Sequence, residues 1–261
     1  MQINFLGLGG IQYVNHTEVE TALQFLYPNG YNITDMATSC ILASTNQSVD
    51  TWNEIVQKLN PELQEHELCS HDYLCEVDDP SGILKKCLSE SVLNEFNTTG
   101  IPHHILKLKV GDVCLVLRAL MCDNLPTNAR VIILAISPYV LRVQTLGETP
   151  RVVLIPRIRF KFSLQYGLSY KMIRTQFPLR LSYCMTFNKS QSQTLDRVLL
   201  DCVNEPFSHG HLYVALSRVR QYNNIRLFIN TDTQTHMNPH STECLLMPVI
   251  TNVVYKDILS K

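Results

Sequence analysis

The run PLRLSYCMTFNKSQSQTLDRVLLDCV, residues 178–203, decides the fold class. Its first ten residues, PLRLSYCMTF, read as a strand. The polar NKSQSQTL that follows reads as a turn leading into a short helix, and RVLLDCV as another strand. Strand, polar loop, helix and strand form the unit of an α/β sheet, in which ligands bind at loops beyond the carboxyl ends of the strands. Downstream, HGHLYVALSRVR (209–220) reads as a helix in which Leu212, Ala215, Leu216 and Val219 make one apolar face flanked by Arg218. IRLFIN (225–230) is a last strand.

Upstream the same grammar appears in TSCILASTNQSVDTWNEIVQKLN, residues 38–60. A short apolar strand leads through the polar STNQS into a helix with Val49, Trp52, Ile55, Val56 and Leu59 at helical spacing. Ser48 is placed to cap it and Asn60-Pro61 to end it. Residues 61–83 are acidic and rich in turn formers, which reads as a surface excursion, and SGILKKCLSESVLNEF (81–96) as a helix. From about 104 the period changes. HILKLKVGDVCLVLRAL, ARVIILAI, YVLRVQTL and RVVLIPRIRFKF are short Val-, Ile- and Leu-rich segments punctuated by Gly, Pro, Asn or Asp, as in a small antiparallel barrel or sandwich. The expected architecture is an α/β domain interrupted by an all-β insertion: first part 21–103, insertion 104–171, second part 172–231. The pattern assigns no element to 1–20 or 232–261.

The 261 residues are 45% hydrophobic and 17% charged, which places the chain among globular proteins and outside the disordered class. No apolar run reaches eighteen residues, so no membrane partner is expected, and MQINFLGLGGIQ lacks the basic start of a signal peptide. Nine cysteines occur without a CxxC pair, which argues for reduced thiols in an intracellular protein and against a zinc ribbon. In that setting the five N-x-S/T sequons carry no meaning. The formal net charge of −1 hides an asymmetry. Residues 1–100 hold three Lys and Arg against fourteen Asp and Glu, whereas residues 101–220 hold sixteen against six. Such a basic block suits a polyanion partner, unless the two blocks neutralise one another internally.

Two places could carry chemistry. In TFNKSQSQT, hydroxyls, amides and one lysine follow directly on an apolar strand, a composition suited to phosphate or sugar contacts and equally to a solvated turn. Arg218 would act if a phosphate were presented to its guanidinium fork, and is otherwise a surface charge. His209 and His211 have no third ligand at metal spacing, so no metal is expected.

MTFNKSQSQTLDRV (185–198) followed by FSHGHLYVALSRV (207–219) resembles the fifth and sixth helicase motifs of the PIF family. These are superfamily-one DNA helicases that include those encoded by Helitron transposons. ILASTNQSVDTWN (41–53) resembles the fourth motif. TTGIPHHILKLKVGDVCLVLRAL (98–120) and RTQFPLRLSYCMTFNKSQ (174–191) resemble the entry to and return from the family's SH3-like insertion. The resemblance implies a second RecA-like helicase domain interrupted by a small SH3-like antiparallel β-barrel that touches DNA. It implies that Arg218 is the arginine finger that approaches the γ-phosphate of ATP, a role worth roughly 10³–10⁵ in rate. It assigns Thr186, Lys189, Ser190 and Gln191 to single-stranded DNA contact and nucleotide coupling, and Thr45 and Asn46 to the fourth-motif loop.

Departures accompany the likeness. Ser192 stands where the family's fifth motif has glycine, and MCDNLPTNARV (121–131) lacks the family's Gly-rich run. No G-x-x-x-x-G-K-[ST] occurs, GLGG at 7–10 has no following lysine, and no acidic Walker B strand is present. The expectation is therefore the carboxyl-terminal portion of an ATP-dependent DNA helicase that uses ATP and Mg in full-length members. These residues alone are expected neither to bind ATP tightly nor to hydrolyse it. Its expected partners are single-stranded DNA and a P-loop domain that is separate or missing, and its expected location is intracellular, in the nucleus. The alternatives are a single-stranded nucleic-acid-binding module without an enzymatic role and a non-functional transposon-derived fragment.

Overall fold

The computed structural model describes residues 2–4, 11–75, 89–121, 124–147, 149–163, 171–191, 193–204, 206, 208, 210–233, 235–237 and 246–251. In chain order the first elements are β1 (Gln2–Asn4), β2 (Gln12–Asn15), α1 (Val19–Leu26), α2 (Ile33–Thr38), β3 (Ser39–Ala43) and α3 (Asn46–Lys58). Then come β4 (His66–Cys69), β5 (His71–Cys75), α4 (Glu90–Glu95), β6 (Ile105–Leu108), β7 (Val113–Val116), β8 (Arg130–Ile136) and β9 (Val140–Thr145). They are followed by β10 (Val152–Pro156), β11 (Ile158–Ser163), β12 (Lys171–Gln176), β13 (Leu179–Leu181) and β14 (Cys184–Thr186). The last are β15 (Arg197–Asp201), α5 (His211–Leu216), β16 (Ile225–Ile229), β17 (Thr235–Met237) and β18 (Leu246–Thr251). The chain divides into two compact units, one of Met1–Asn60 with Ser182–Lys261 and one of Pro61–Leu181.

The first unit is built on a parallel sheet in the order β14-β3-β15-β16-β2. A central parallel strand is covered on both faces, and Ser39–Ala43 is buried at every position, which explains why SCILA reads as an unbroken apolar run. Helix α3 buries Val49, Trp52, Asn53, Val56 and Gln57. The buried Asn53 is there for a reason that periodicity does not reveal. β14 is an edge strand, and the Asn53 side chain both accepts from the Cys184 backbone N–H (2.9 Å) and donates to the Cys184 carbonyl (3.2 Å). One amide thus pairs both backbone groups of Cys184 on that edge. The core joins Leu42, Leu200 and Leu227 of the sheet with Phe187, Leu195, Leu212 and Ala215, and Ile250 of β18 is part of it.

Several sequence expectations change here. Helix α3 starts at Asn46 and is capped by Thr45, whose hydroxyl accepts from the Ser48 N–H (3.1 Å), so Ser48 lies inside the helix. The run read as one strand, 178–187, is two: β13 pairs antiparallel with β7 in the second unit, and β14 pairs parallel with β3 in the first. In NKSQSQTL, read as a turn leading into a short helix, the helical turn is a 3₁₀ turn that comes first, Phe187–Ser190, and no helix follows it among the described residues. The segments given no element contribute β2, which joins the parallel sheet, and β1, β17 and β18, which form a small antiparallel sheet.

The second unit is antiparallel throughout its described strand pairs, with a five-stranded sheet β10-β9-β8-β7-β13, a three-stranded sheet β11-β12-β5 and the pair β4-β6. Inward residues of successive strands, among them Val116, Ile133, Val143 and Ile155, fill one core together with Phe177, which follows β12. The unit is wider than the 104–171 read from the pattern, because β4 pairs with β6 and β5 with β12. Residues 66–75 are thus sheet rather than surface excursion, and of the helix expected at 81–96 the described part is α4, residues 81–88 lying outside the described residues. A buried ion pair ties these strands to the loops around them. Arg174 and Asp72 have fully buried side chains, and Arg174 donates to both Asp72 oxygens at 2.7–3.1 Å and to the carbonyls of Pro102 and Leu93. Cys40, Cys114, Cys184 and Cys202 are buried, and burial pushes the Cys114 thiol pKa well up.

Candidate functional site

The loops at the carboxyl ends of β3 and β14 bring together the fourth- and fifth-motif residues. Thr186 is the last residue of β14 and stands in register with Ala43, the last residue of β3, so the Thr45 cap and the Phe187–Ser190 turn leave the same edge of neighbouring strands. Thr45 is half-buried and committed to capping, while Asn46 is exposed on the first turn of α3. Lys189 is half-buried, Gln191 exposed, and Ser190 fully buried with its hydroxyl donating to the Phe187 carbonyl (2.7 Å). Ser190 therefore shapes the turn from within. Ser192 and His209 lie outside the described residues.

Arg218 follows α5. That helix begins after Gly210, whose φ of +75° is a left-handed conformation that a side chain would strain. Leu212 and Ala215 bury its apolar face, and Leu216 and Val219 pack beside them. His211 is buried edge-to-face against Phe187, with centroids 5.7 Å apart, and burial lowers its pKa. The half-buried Arg218 guanidinium turns back onto the fifth-motif turn. Nη1 donates to the carbonyls of Ser190 and Gln193, both at 3.3 Å, Nε to that of Val214 (2.8 Å), and Nη2 to the Ser217 hydroxyl (2.8 Å). The Leu195 N–H also donates to the Arg218 carbonyl (2.9 Å). The fifth- and sixth-motif segments are thus one hydrogen-bonded body, with the arginine as its clasp.

The second unit contributes a surface that motif reading missed. In the β11-β12-β5 sheet, Phe160, Arg174 and Asp72 align across the strands on the buried face, as do Phe162, Met172 and Leu74. The alternate rows are Arg159, Thr175 and His71, then Lys161, Ile173 and Tyr73. Arg159, Lys161 and His71 are exposed and Tyr73 half-buried, and the His71 and Tyr73 rings lie 5.6 Å apart. This face combines cations with aromatic rings, the composition on which single strands stack and their phosphates are neutralised. Alternation in IRFKF announces Arg159 and Lys161 on one face. His71 and Tyr73 join them through strand pairing alone.

Known proteins resemble the chain in sequence and in fold. No family model matches the chain. The ATP-dependent DNA helicase PIF1 of Danio rerio is 26% identical over 200 residues, covering 75% of this chain and 30% of that protein. The Pif1 helicase of Candida albicans superposes with a TM-score of 0.53 at 21% identity, covering 80% of this chain and 53% of that one. A Bacteroides Pif1 helicase in complex with ADP-AlF3 and ssDNA superposes with a TM-score of 0.52 at 22% identity, covering 72% of this chain and 40% of that one. The chain spans less than a third of the curated relative's length. In sequence the chain is similar to PIF1 helicases, and in fold it matches part of the Pif1 helicase structures on which it superposes.

Proposed function

We propose that the chain is a DNA-binding portion of a Pif1-type, ATP-dependent helicase. In this reading the first unit is a second RecA-like domain, and the antiparallel unit is the SH3-like insertion that holds single-stranded DNA. Asn46, Thr186, Lys189 and Gln191 form the coupling surface between DNA and nucleotide, Thr45 and Ser190 shape the loops that carry it, and Arg218 is the finger for the γ-phosphate of ATP bound with Mg. The triphosphate would be held by a P-loop that these 261 residues do not contain, so the chain by itself hydrolyses no ATP. In this reading the protein works inside the cell, in the nucleus.

The observation that carries the reading is the sheet face on which Arg159, Lys161 and His71 are exposed beside Tyr73. Fluorescence anisotropy with a labelled oligothymidylate tests it. Binding that weakens steeply with salt is expected, and binding that is absent at low salt or indifferent to salt overturns it.

A second reading, a nucleic-acid-binding module without catalysis, is favoured by the state of Arg218. Its guanidinium is engaged by three carbonyls and a hydroxyl, which it must release to meet a phosphate. Phosphate release from Mg-ATP with single-stranded DNA separates the two. Hydrolysis that appears on adding a P-loop domain supports the helicase reading, and none under any addition supports the module.

A further inference from the structure

A cavity of about 470 Å³ opens in the first unit, lined by residues from the carboxyl ends of β15, β16 and β2 and from the first turns of α3. Its volume lies within the roughly 300–1,000 Å³ of small-molecule sites, and open parallel sheets place ligands at this edge. None of the residues assigned above to DNA coupling or to the arginine finger lines it.

The lining is selective in its chemistry. Trp52 and Phe228 meet edge-to-face with centroids 5.0 Å apart and give the cavity an aromatic part of its wall. The buried Asp201 carboxylate accepts from Trp52 Nε1 (2.9 Å) and from the Val203 N–H (3.2 Å), one bond on each oxygen. A carboxylate has about four acceptor positions, so each oxygen can take a further donor. The Nδ1 atom of His16 is shielded from solvent and has no hydrogen-bond partner among the described residues. No lysine or arginine lines the cavity. A phosphate would meet a buried negative charge with no fixed cation to offset it. A flat ring that offers two adjacent N–H donors meets what the site lacks.

We propose that this cavity binds a guanine base, with the Asp201 carboxylate accepting from the ring N–H and the exocyclic amino group while the ring packs against Trp52 and Phe228. Adenine and cytosine pair their amino group with a ring acceptor, which would face the carboxylate and be repelled, so they bind more weakly. The site uses different residues, in a different unit, from the basic face described above, and the two ideas stand or fall separately.

Trp52 is the single tryptophan of the sequence, so intrinsic fluorescence reports on the cavity directly. The full chain is titrated with guanosine, adenosine, cytidine, inorganic phosphate and N-acetylargininamide. Guanosine is expected to change Trp52 emission saturably and to bind roughly tenfold more tightly than adenosine or cytidine. Asp201→Asn, which can still accept from Trp52, is expected to erase that preference. Thr51→Lys, at an exposed helix position beside the cavity, is expected to block binding with the melting curve unchanged. Equal responses to all three nucleosides, no response to guanosine, or saturation by phosphate overturns the proposal. Saturation by N-acetylargininamide but not guanosine also overturns it and assigns the cavity to an arginine side chain of a protein partner.

Discussion

The guanidinium of Arg218 is hydrogen-bonded to the main-chain carbonyl of Ser190, 3.3 Å away, and through it the last helix holds the turn that follows β14. The residue whose position suggests an arginine finger is thus also a structural tie. Arg218→Ala removes donors from the Ser190, Gln193 and Val214 carbonyls together. It should destabilise the chain by about 1–2 kcal/mol. Arg218→Lys should recover only part, since one ammonium cannot span the fork's partners. Thermal melts of the three proteins check this; identical midpoints would show that the tie carries no stability.

The Asp72–Arg174 pair makes the sharpest stability prediction. Both side chains are fully buried, so removing one charge strands the other in the interior. Asp72→Asn should cost about 3–5 kcal/mol. Chemical denaturation measures it, and a loss below about 1 kcal/mol, the scale of an exposed pair, would contradict the burial.

For the basic face, Arg159→Ala with Lys161→Ala should weaken oligonucleotide binding and leave the melting curve in place, because both side chains are exposed. The slope of log K against log salt should fall by about 0.7 for each phosphate that is no longer neutralised. An unchanged slope would move the interface elsewhere.

Asp201 gives a pH dependence with a definite sign. Burial raises its carboxyl pKa above the usual value, against the opposing bonds from Trp52 and Val203. The folded state therefore binds the proton more tightly than the unfolded chain. Between the two pKa values folding takes up protons, so stability falls as pH rises through that interval, and the penalty is complete above the folded value. Asp201→Asn should melt higher than the parent at neutral pH, and the curves should converge on acidification. An Asn variant that melts lower at neutral pH would show that the ionised carboxylate is stabilising in the fold.

The alternation of apolar strand and polar loop, and the switch to short Val- and Ile-rich segments after residue 104, were enough to expect an α/β unit interrupted by a β-rich one. Local periodicity reports which face of an element is buried, and SCILA, RVLLD and IRFKF each state theirs plainly. Periodicity cannot report which distant segment an element pairs with. Nothing local in HDYLC announces a partner in KMIRTQ a hundred residues on, so the buried ion pair and the outward row of cations and rings stayed hidden. The break within PLRLSYCMTF was hidden likewise, because both halves are apolar and only their different partners separate them.

The same division runs through the candidate sites. Residue types and order marked Thr45, Asn46, Thr186, Lys189, Ser190, Gln191 and Arg218. The tertiary structure decided that Thr45 is a helix cap, that Ser190 is buried, and that Arg218 turns inward onto the carbonyls of its neighbour turn. It alone put Asp201 against Trp52, 149 residues away in sequence. The sequence by itself determined the main strands and helix of the parallel sheet and the switch to short β segments, since those follow from local sterics and the spacing of apolar side chains. The sites belong to the tertiary structure, because a hydrogen bond or a cavity depends on where long-range pairing places atoms that the chain keeps far apart.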